Sequence, residues 1–153
     1  MHTEAELLDK ISRIKAESSE SLAVVKDLET RIDENRERSC HVSAYLQNRK
    51  IAQQSKHAEN LAEYQETHRA ELTAYQAAAA YFKAHNIQKL LSLKQLKAER
   101  EELISEKAQF YQKYREAHKA WLDLSTAQQN LEALHRAESR REMTRGGLHE
   151  LDK

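Results

Sequence analysis

The 153-residue chain has no proline, two glycines and a single cysteine. Proline and glycine supply many of the turns that connect β-strands, so their scarcity argues against a sheet-rich fold. The lone Cys40 excludes an internal disulfide framework and suits a reducing compartment, although it could still link two chains. Hydrophobic residues make up 39% and aromatic residues 6% of the chain, which disfavours one large globular core. Long helices that bury apolar stripes are therefore predicted.

Charge is abundant but balanced. Lysine plus arginine and aspartate plus glutamate each number 25, so the formal net charge is zero. This balance argues against binding nucleic acid or an acidic membrane through bulk electrostatics. No apolar run approaches the roughly 18 residues of a membrane span, and residues 1–11 lack a signal-peptide block. We therefore predict a cytoplasmic protein with no membrane partner and no small-molecule substrate.

An apolar ladder with alternating steps of four and three residues runs through the first part of the chain. Eight of its twelve positions are apolar, which is typical of a coiled-coil seam. It predicts a first helix from about Thr3 to about Arg49, opened by a capping box of Thr3 and Glu6. The ladder comprises Leu7, Ile11, Ile14, Ser18, Ser21, Val25, Leu28, Ile32, Asn35, Ser39, Val42 and Leu46.

The spacing lapses over residues 50–56, where no glycine or proline forces a stop, and we favour a turn there over a continuous helix. A shorter second helix is predicted for residues 56–84. Its predicted end is His85–Asn86, because asparagine tolerates the left-handed conformation of a helix cap. Ser92 and Gln95 form a second capping box, so residues 85–91 are predicted to turn sharply. The apolar face of the second helix comprises Leu61, Tyr64, His68, Leu72, Tyr75, Ala78 or Ala79, and Phe82.

A second four-three ladder predicts a third helix over about residues 92–138. Charged residues and Gly146–Gly147 follow, so residues 139–153 are predicted to be a disordered tail. The predicted fold is all-α: an elongated antiparallel coiled coil of two long helices and one shorter helix, forming a single unit over residues 1–138. The third-helix ladder comprises Leu96, Arg100, Leu103, Lys107, Phe110, Tyr114, Ala117, Trp121, Leu124, Gln128, Leu131 and His135.

Histidines and tyrosines are the side chains most suggestive of chemistry. The eight histidines are scattered and form no close pair with helical ligand spacing and supporting carboxylates, so no metal site is predicted. The tyrosines lie on or beside the seams without a neighbouring base to activate a phenol, so packing is the favoured interpretation. No catalytic residue and no cofactor are predicted.

Arginine and lysine gather at two places near helix ends. Acidic residues are interspersed in both groups, which favours solvated, salt-bridged faces over a nucleic-acid site. An antiparallel pair of helices would also hold the two groups apart, so one continuous DNA groove is not expected. The candidate nucleic-acid contacts are Arg36, Arg38, Arg49 and Lys50 in the first group, and Arg136, Arg140, Arg141 and Arg145 in the second.

Three stretches of the sequence carry a family resemblance in a consistent order. The first is the step His41, Tyr45, Arg49, and the second is the series Tyr64, His68, Leu72, Ala78, Phe82. The third comprises Ser92, Leu96, Glu99, Leu103, Glu106, Lys107, Tyr111, Tyr114, Ala117, Ala127, Asn130 and Leu134. Together they resemble the C-terminal helical tail of relaxase/mobilisation nuclease proteins of conjugative elements of Firmicutes. Two departures are Leu91, where the family usually has proline, and Gln47-Asn48, where it often has Lys-Thr.

The resemblance implies a non-catalytic tail, because relaxases nick DNA with an N-terminal nuclease domain that this chain lacks. The implied function is a helical interaction module that supports assembly in DNA mobilisation, through self-association or protein partners, with DNA reached through the parent relaxase. Two alternatives stay open: auxiliary DNA binding by the arginine-bearing helix ends, and a coiled-coil scaffold unrelated to conjugation.

Overall fold

The computed structural model describes residues 4–151, with side chains described as far as residue 145. Throughout residues 4–151 the regular structure is helical, and no strand occurs, so the all-α prediction is confirmed. There are four helices in this range rather than the three predicted: α1 Glu4–Ser55, α2 Leu61–Thr67, α3 Arg69–Ala84 and α4 Leu93–Leu151. The predicted capping box of Thr3 and Glu6 includes a residue outside the described range.

Helix α1 is longer than predicted, because the expected turn over residues 50–56 is helical as far as Ser55. The apolar face continues through this stretch: Ala52 is buried at 9% exposure and Ile51 is half-buried. The face has moved off the predicted ladder, since Leu46 is 47% exposed while its neighbour Tyr45 packs against the core. The chain turns only after this, over residues 56–60.

The predicted second helix is divided into α2 and α3 at His68. The backbone of His68 has φ −110° and ψ 28°, which is outside the helical range. Hydrogen bonding nevertheless continues across it, because His68 N donates to the Tyr64 carbonyl at 3.0 Å and Leu72 N donates to the His68 carbonyl at 2.9 Å. The division is therefore a local bend. Helix α2 begins at Leu61, five residues later than predicted, where the Asn60 side chain accepts a hydrogen bond from Glu63 N.

The end of α3 follows the prediction. Asn86 has φ 53°, the left-handed conformation that asparagine adopts more readily than most residues. Asn86 N donates to the Lys83 carbonyl at 3.3 Å and Ile87 N donates to the Phe82 carbonyl at 2.8 Å, the paired bonds of a Schellman cap. Ile87 also packs against the buried cluster, so the cap is fixed by an apolar contact as well.

The predicted capping box before α4 is confirmed. Ser92 N donates to the Gln95 side chain, and Gln95 N donates to the Ser92 hydroxyl, both at 3.1 Å. The predicted end of α4 near residue 138 is wrong, because the helix continues to Leu151 through the region predicted to be disordered. The chain from 132 to 145 is rich in alanine, glutamate and arginine, which favour helix, and the two later glycines each cost only about 1 kcal/mol.

The structure divides into two compact units, which share the two long helices. Unit 1 comprises Met1–Val25 and Gln109–Lys153, and unit 2 comprises Lys26–Ala108. The single unit predicted over residues 1–138, the elongated shape and the antiparallel coiled coil remain predictions. The buried cluster of unit 2 consists of Val42, Ala78, Tyr81, Phe82 and Leu96.

Candidate helix-interaction site

Most positions of the two predicted seams are withdrawn from solvent. On α1 every ladder position is buried or half-buried except Leu46, and on α4 every one except His135. Within unit 2 several of these residues are almost fully buried: Leu28, Ile32, Asn35, Val42, Leu96 and Leu103. Apolar side chains at these depths each contribute roughly 1.5–3 kcal/mol to folding.

A polar network occupies the centre of the unit 2 seam. Asn35, 5% exposed, donates from Nδ2 to the Leu96 carbonyl at 2.9 Å. Its Oδ1 accepts from Arg100 Nη1 at 3.3 Å, and the same nitrogen lies 3.5 Å from Ser39 Oγ. Because a buried amide is costly when unpaired, these bonds favour the register that pairs Asn35 with Leu96 over neighbouring registers.

Three contacts along unit 2 define how α1 and α4 face each other there. Lys107 Nζ lies 3.3 Å from a carboxylate oxygen of Glu29, whereas Arg100 contacts Asn35 and Ser39 further along α1. Later residues of α4 thus meet earlier residues of α1. The Lys107–Glu29 ion pair is substantially exposed, so its contribution to stability is small.

Aromatic stacking joins α1 to α3. The His41 and Tyr81 rings stack with centroids 4.2 Å apart, and His85 lies 4.2 Å from the same tyrosine ring. Tyr45 packs edge-on against Phe82 at 5.6 Å. Two of the histidines that seem scattered in the sequence therefore meet at one tyrosine. The sequence pattern that could have indicated this contact is the apolar face of the predicted second helix. Its last member, Phe82, directly follows Tyr81 and lies three positions before His85.

Tyr45 also stacks on Tyr75, with ring centroids 5.0 Å apart. A side-chain hydrogen bond with Tyr45 raises the pKa of Tyr75, and desolvation by burial raises it further, while the positive charge of Arg49 lowers it. The net shift is upward, which keeps this phenol protonated to higher pH than an exposed tyrosine. The arrangement is that of a packed hydroxyl rather than of an activated nucleophile.

The last turn of α1 is held by Tyr64. Its hydroxyl donates to the Ile51 carbonyl at 3.1 Å and lies 3.4 Å from the Gln54 side-chain oxygen. The Ile51 carbonyl therefore accepts a hydrogen bond from outside α1, close to the end of this helix. It is the contact that connects α2 with the end of α1.

Unit 1 has the same ladders but a shallower seam. In its described part only Ser18 and Val25 are buried, at 7% and 3% exposure. The large side chains of the seam are half-buried: Leu7, Ile11, Ile14, Phe110, Tyr114, Trp121, Leu124 and Leu131. Tyr114, His118 and Trp121 form a stacked series along α4, with successive centroids 5.5 and 5.8 Å apart.

Two cavities open along the unit 1 seam, where small serines lie opposite aromatic residues. One, of about 260 Å³, is lined by the aromatic series together with Lys15, Ser18, Ser19 and Leu22. Lys15 Nζ lies 5.8 Å from the centroid of the Trp121 ring, within range of a cation–π interaction. The other, of about 480 Å³, is lined by Glu17, Glu20, Ser21, Val24, Phe110, Lys113, Glu116 and Ala117.

The first group of candidate nucleic-acid contacts is divided among different faces of α1. Arg36 lines a groove with Arg100, while Arg38 lines a separate small cavity with Glu34 and Glu99. Arg38 Nε is buried and has no hydrogen-bond partner among the described residues. Arg49 and Lys50 are exposed.

The second group lies near the end of α4 in unit 1. Its four members are all exposed: Arg136, Arg140, Arg141 and Arg145. None of the four forms an ion pair with another described residue. The structure thus shows a solvated basic stretch here, with the acidic residues Glu138 and Glu142 interspersed.

Comparison of the chain with protein-family models, with curated proteins and with solved structures gives no match. Along the described helices, no stretch is both long and apolar enough to cross a membrane. Nor does any group of three or more His, Cys, Asp or Glu side chains in residues 4–145 come together as metal ligands would.

Proposed function

We propose that this chain is a non-catalytic helical interaction module, in which α1 and α4 pair as an antiparallel coiled coil and unit 1 binds a second copy of the chain. The observation that carries the proposal is the half-buried row of large apolar side chains along the unit 1 seam. In a two-helix unit, one side of each seam side chain lacks a neighbour. Packing another pair of helices against it would produce a four-helix bundle.

The cavities beside the unit 1 seam support this occupant. Trp121 and Tyr114 line a groove of about 260 Å³ whose opposite wall carries small serines. A side chain from another helix fits such a space as a knob fits a hole in helix packing. Aromatic residues are also the side chains that contribute most to binding at protein interfaces.

The distribution of charge supports a second copy of the chain as the occupant. Residues 4–25 contain five carboxylates and three cationic side chains, whereas residues 109–145 contain seven cationic side chains and five carboxylates. The α1 part is therefore net acidic and the α4 part net basic. A second copy has the same two parts. Its acidic α1 part can therefore face the basic α4 part of the first copy, while its basic α4 part faces the acidic α1 part of the first.

The connection to DNA mobilisation rests on the sequence resemblance to relaxase tails alone. In that setting, self-association would bring together the nuclease domains to which such tails are attached. A nuclease reading frame directly upstream of the gene would support this setting, and its absence would favour a coiled-coil scaffold unrelated to conjugation.

Sedimentation velocity over a wide range of protein concentration tests self-association. We expect a concentration-dependent shift from monomer to dimer. Ser19→Arg should abolish it, because Ser19 is exposed and a long charged side chain there fills the groove without removing a packed group. Ser12→Arg is the matched control, since Ser12 is exposed on the same helix and lines neither cavity. A monomer at every concentration would rule out the proposed partner.

A further inference from the structure

A groove on unit 2 has an unusual set of charged groups. Its volume is about 580 Å³, and its polar and charged lining comprises Arg36, Ser39, Cys40, Ser43, Gln47 and Arg100. Two guanidinium groups and several neutral hydrogen-bonding side chains are present, and no carboxylate lines it. The larger cavity of unit 1, of about 480 Å³, is by contrast lined by three glutamates and one lysine. In a chain whose acids and bases balance, this groove is locally positive.

Neither arginine is neutralised within the described part of the chain. Arg36 forms no ion pair or hydrogen bond there. Arg100 is half-buried, and its partners are the neutral oxygens of Asn35 and Ser39, both reached through Nη1. A partly desolvated cation without a counter-charge is costly, and an anion placed beside it would offset that cost.

The remaining donors of Arg100 are accessible. Nε and Nη2 of Arg100 have no hydrogen-bond acceptor within residues 4–145. They are not buried, because the only side-chain nitrogen in that range that is buried without a partner is Arg38 Nε. The free N–H groups of Arg100 therefore face solvent. Its network with Asn35 and Ser39 restricts the guanidinium, and a fixed planar group is suited to bidentate binding of an oxyanion.

We propose that this groove binds a phosphate group, held by Arg36 and Arg100 with Ser43 and Gln47 as further hydrogen-bond donors. A phosphate oxyanion has several strong acceptor oxygens, which match the donors on both walls. At about 580 Å³ the groove has room for a larger molecule that carries the phosphate group. That carrier is either a small phosphorylated compound or the backbone of a nucleic acid.

Cys40 provides the readout. It is the only cysteine of the chain, it is exposed, and it lines the groove. Alkylation by a neutral reagent, N-ethylmaleimide, can therefore be followed at low salt with inorganic pyrophosphate or a single-stranded oligothymidylate as the probe. We expect saturable slowing of Cys40 alkylation, by several-fold, because a bound phosphate obstructs the thiol.

Variants assign the effect to the arginines. Arg36→Gln should remove most of the protection; this side chain is exposed and unbonded, so the fold is retained. Arg100→Gln should do the same, with circular dichroism used to check that the helices remain. The control is Arg13→Gln, which removes an arginine of unit 1 that pairs with Asp9 at 3.5 Å and should leave protection unchanged.

The two probes distinguish the sources of the phosphate. Protection by pyrophosphate, alone or together with the oligonucleotide, assigns a free phosphate compound. Protection by the oligonucleotide alone, weakening steeply with salt, assigns a nucleic-acid backbone. No protection by either probe at low salt overturns the proposal, and so does protection that persists in Arg36→Gln.

Discussion

Unit 1 and unit 2 use the same four-three ladders of α1 and α4 but bury them to different depths. Unit 2 has aliphatic side chains at 1–5% exposure, such as Leu28, Val42 and Leu96, and a polar network that selects one register. Unit 1 has larger aromatic residues opposite serines, and its seam is only half-buried. A regular heptad pattern therefore predicts which positions face a neighbour, but the sizes of the facing side chains determine how completely they are covered.

The largest expected effect is from truncating a buried leucine of unit 2. Leu96→Ala should lower the free energy of unfolding by about 2–5 kcal/mol, because the side chain is 1% exposed and a cavity would remain. Leu131→Ala in unit 1 is the matched change at a half-buried position and should cost about 1 kcal/mol. Urea unfolding followed by circular dichroism measures both. Equal losses would contradict the difference in burial between the two units.

The polar network gives the next effect. Asn35→Ala should cost about 1–3 kcal/mol, because the Leu96 carbonyl and Arg100 lose a buried partner. Asn48→Ala is the control, since Asn48 bonds only to the Ala44 carbonyl within α1, and the gain in helix propensity is the same for both changes. If the two variants are equally stable, the network does not stabilise the pairing of α1 with α4.

A smaller effect is expected in unit 1 from the lysine beside the tryptophan. Lys15→Met should cost about 0.5–1 kcal/mol through loss of the cation–π contact. Trp121 is the only tryptophan, so its fluorescence during urea unfolding reports on this unit. Lys10→Met, at an exposed position without an aromatic neighbour, should leave the midpoint unchanged. A shift of the same size in both variants would mean that charge, rather than the ring contact, is responsible.

The smallest effect concerns Tyr75 at alkaline pH. Its pKa is raised in the folded state by the hydrogen bond with Tyr45 and by burial. The stabilisation is fully present below the unfolded pKa of about 10 and is lost as pH rises through the higher folded value. Unfolding free energies measured from pH 8 to pH 11 should therefore fall more steeply for the wild type than for Tyr75→Phe. Parallel pH profiles would show that this phenol is not the group responsible.

The helices and most seam positions follow from the sequence, because burial at four-three spacing is a local pattern. The exceptions have non-local causes. Leu46 satisfies the ladder, but the rings of α3 contact the adjacent Tyr45 instead. Residues 50–55 stay helical where the local pattern lapses, and there the Ile51 carbonyl accepts a hydrogen bond from the Tyr64 hydroxyl, thirteen positions later in the chain.

The candidate sites are less predictable than the helices. Asn35 is recognisable as a polar residue in an apolar seam, but its partners depend on the register between α1 and α4, which pairs it with Leu96, 61 positions later in the chain. The groove with Arg36 and Arg100 depends on the same register. The helical stretch beyond residue 138 was missed for a different reason: charged residues and two glycines resemble a tail, yet most of these residue types are good helix formers.

The capping box of Ser92 and Gln95 has a consequence for how this chain can vary during evolution. Because the cap determines where α4 begins, it also determines which side chains that helix directs toward α1. Adding or removing a residue between Asn86 and Ser92 changes the length of the connection but does not change which side chains of α4 face α1. The same change inside α4 would rotate everything beyond it by about 100°. We therefore expect insertions and deletions among homologues to concentrate in this short connection.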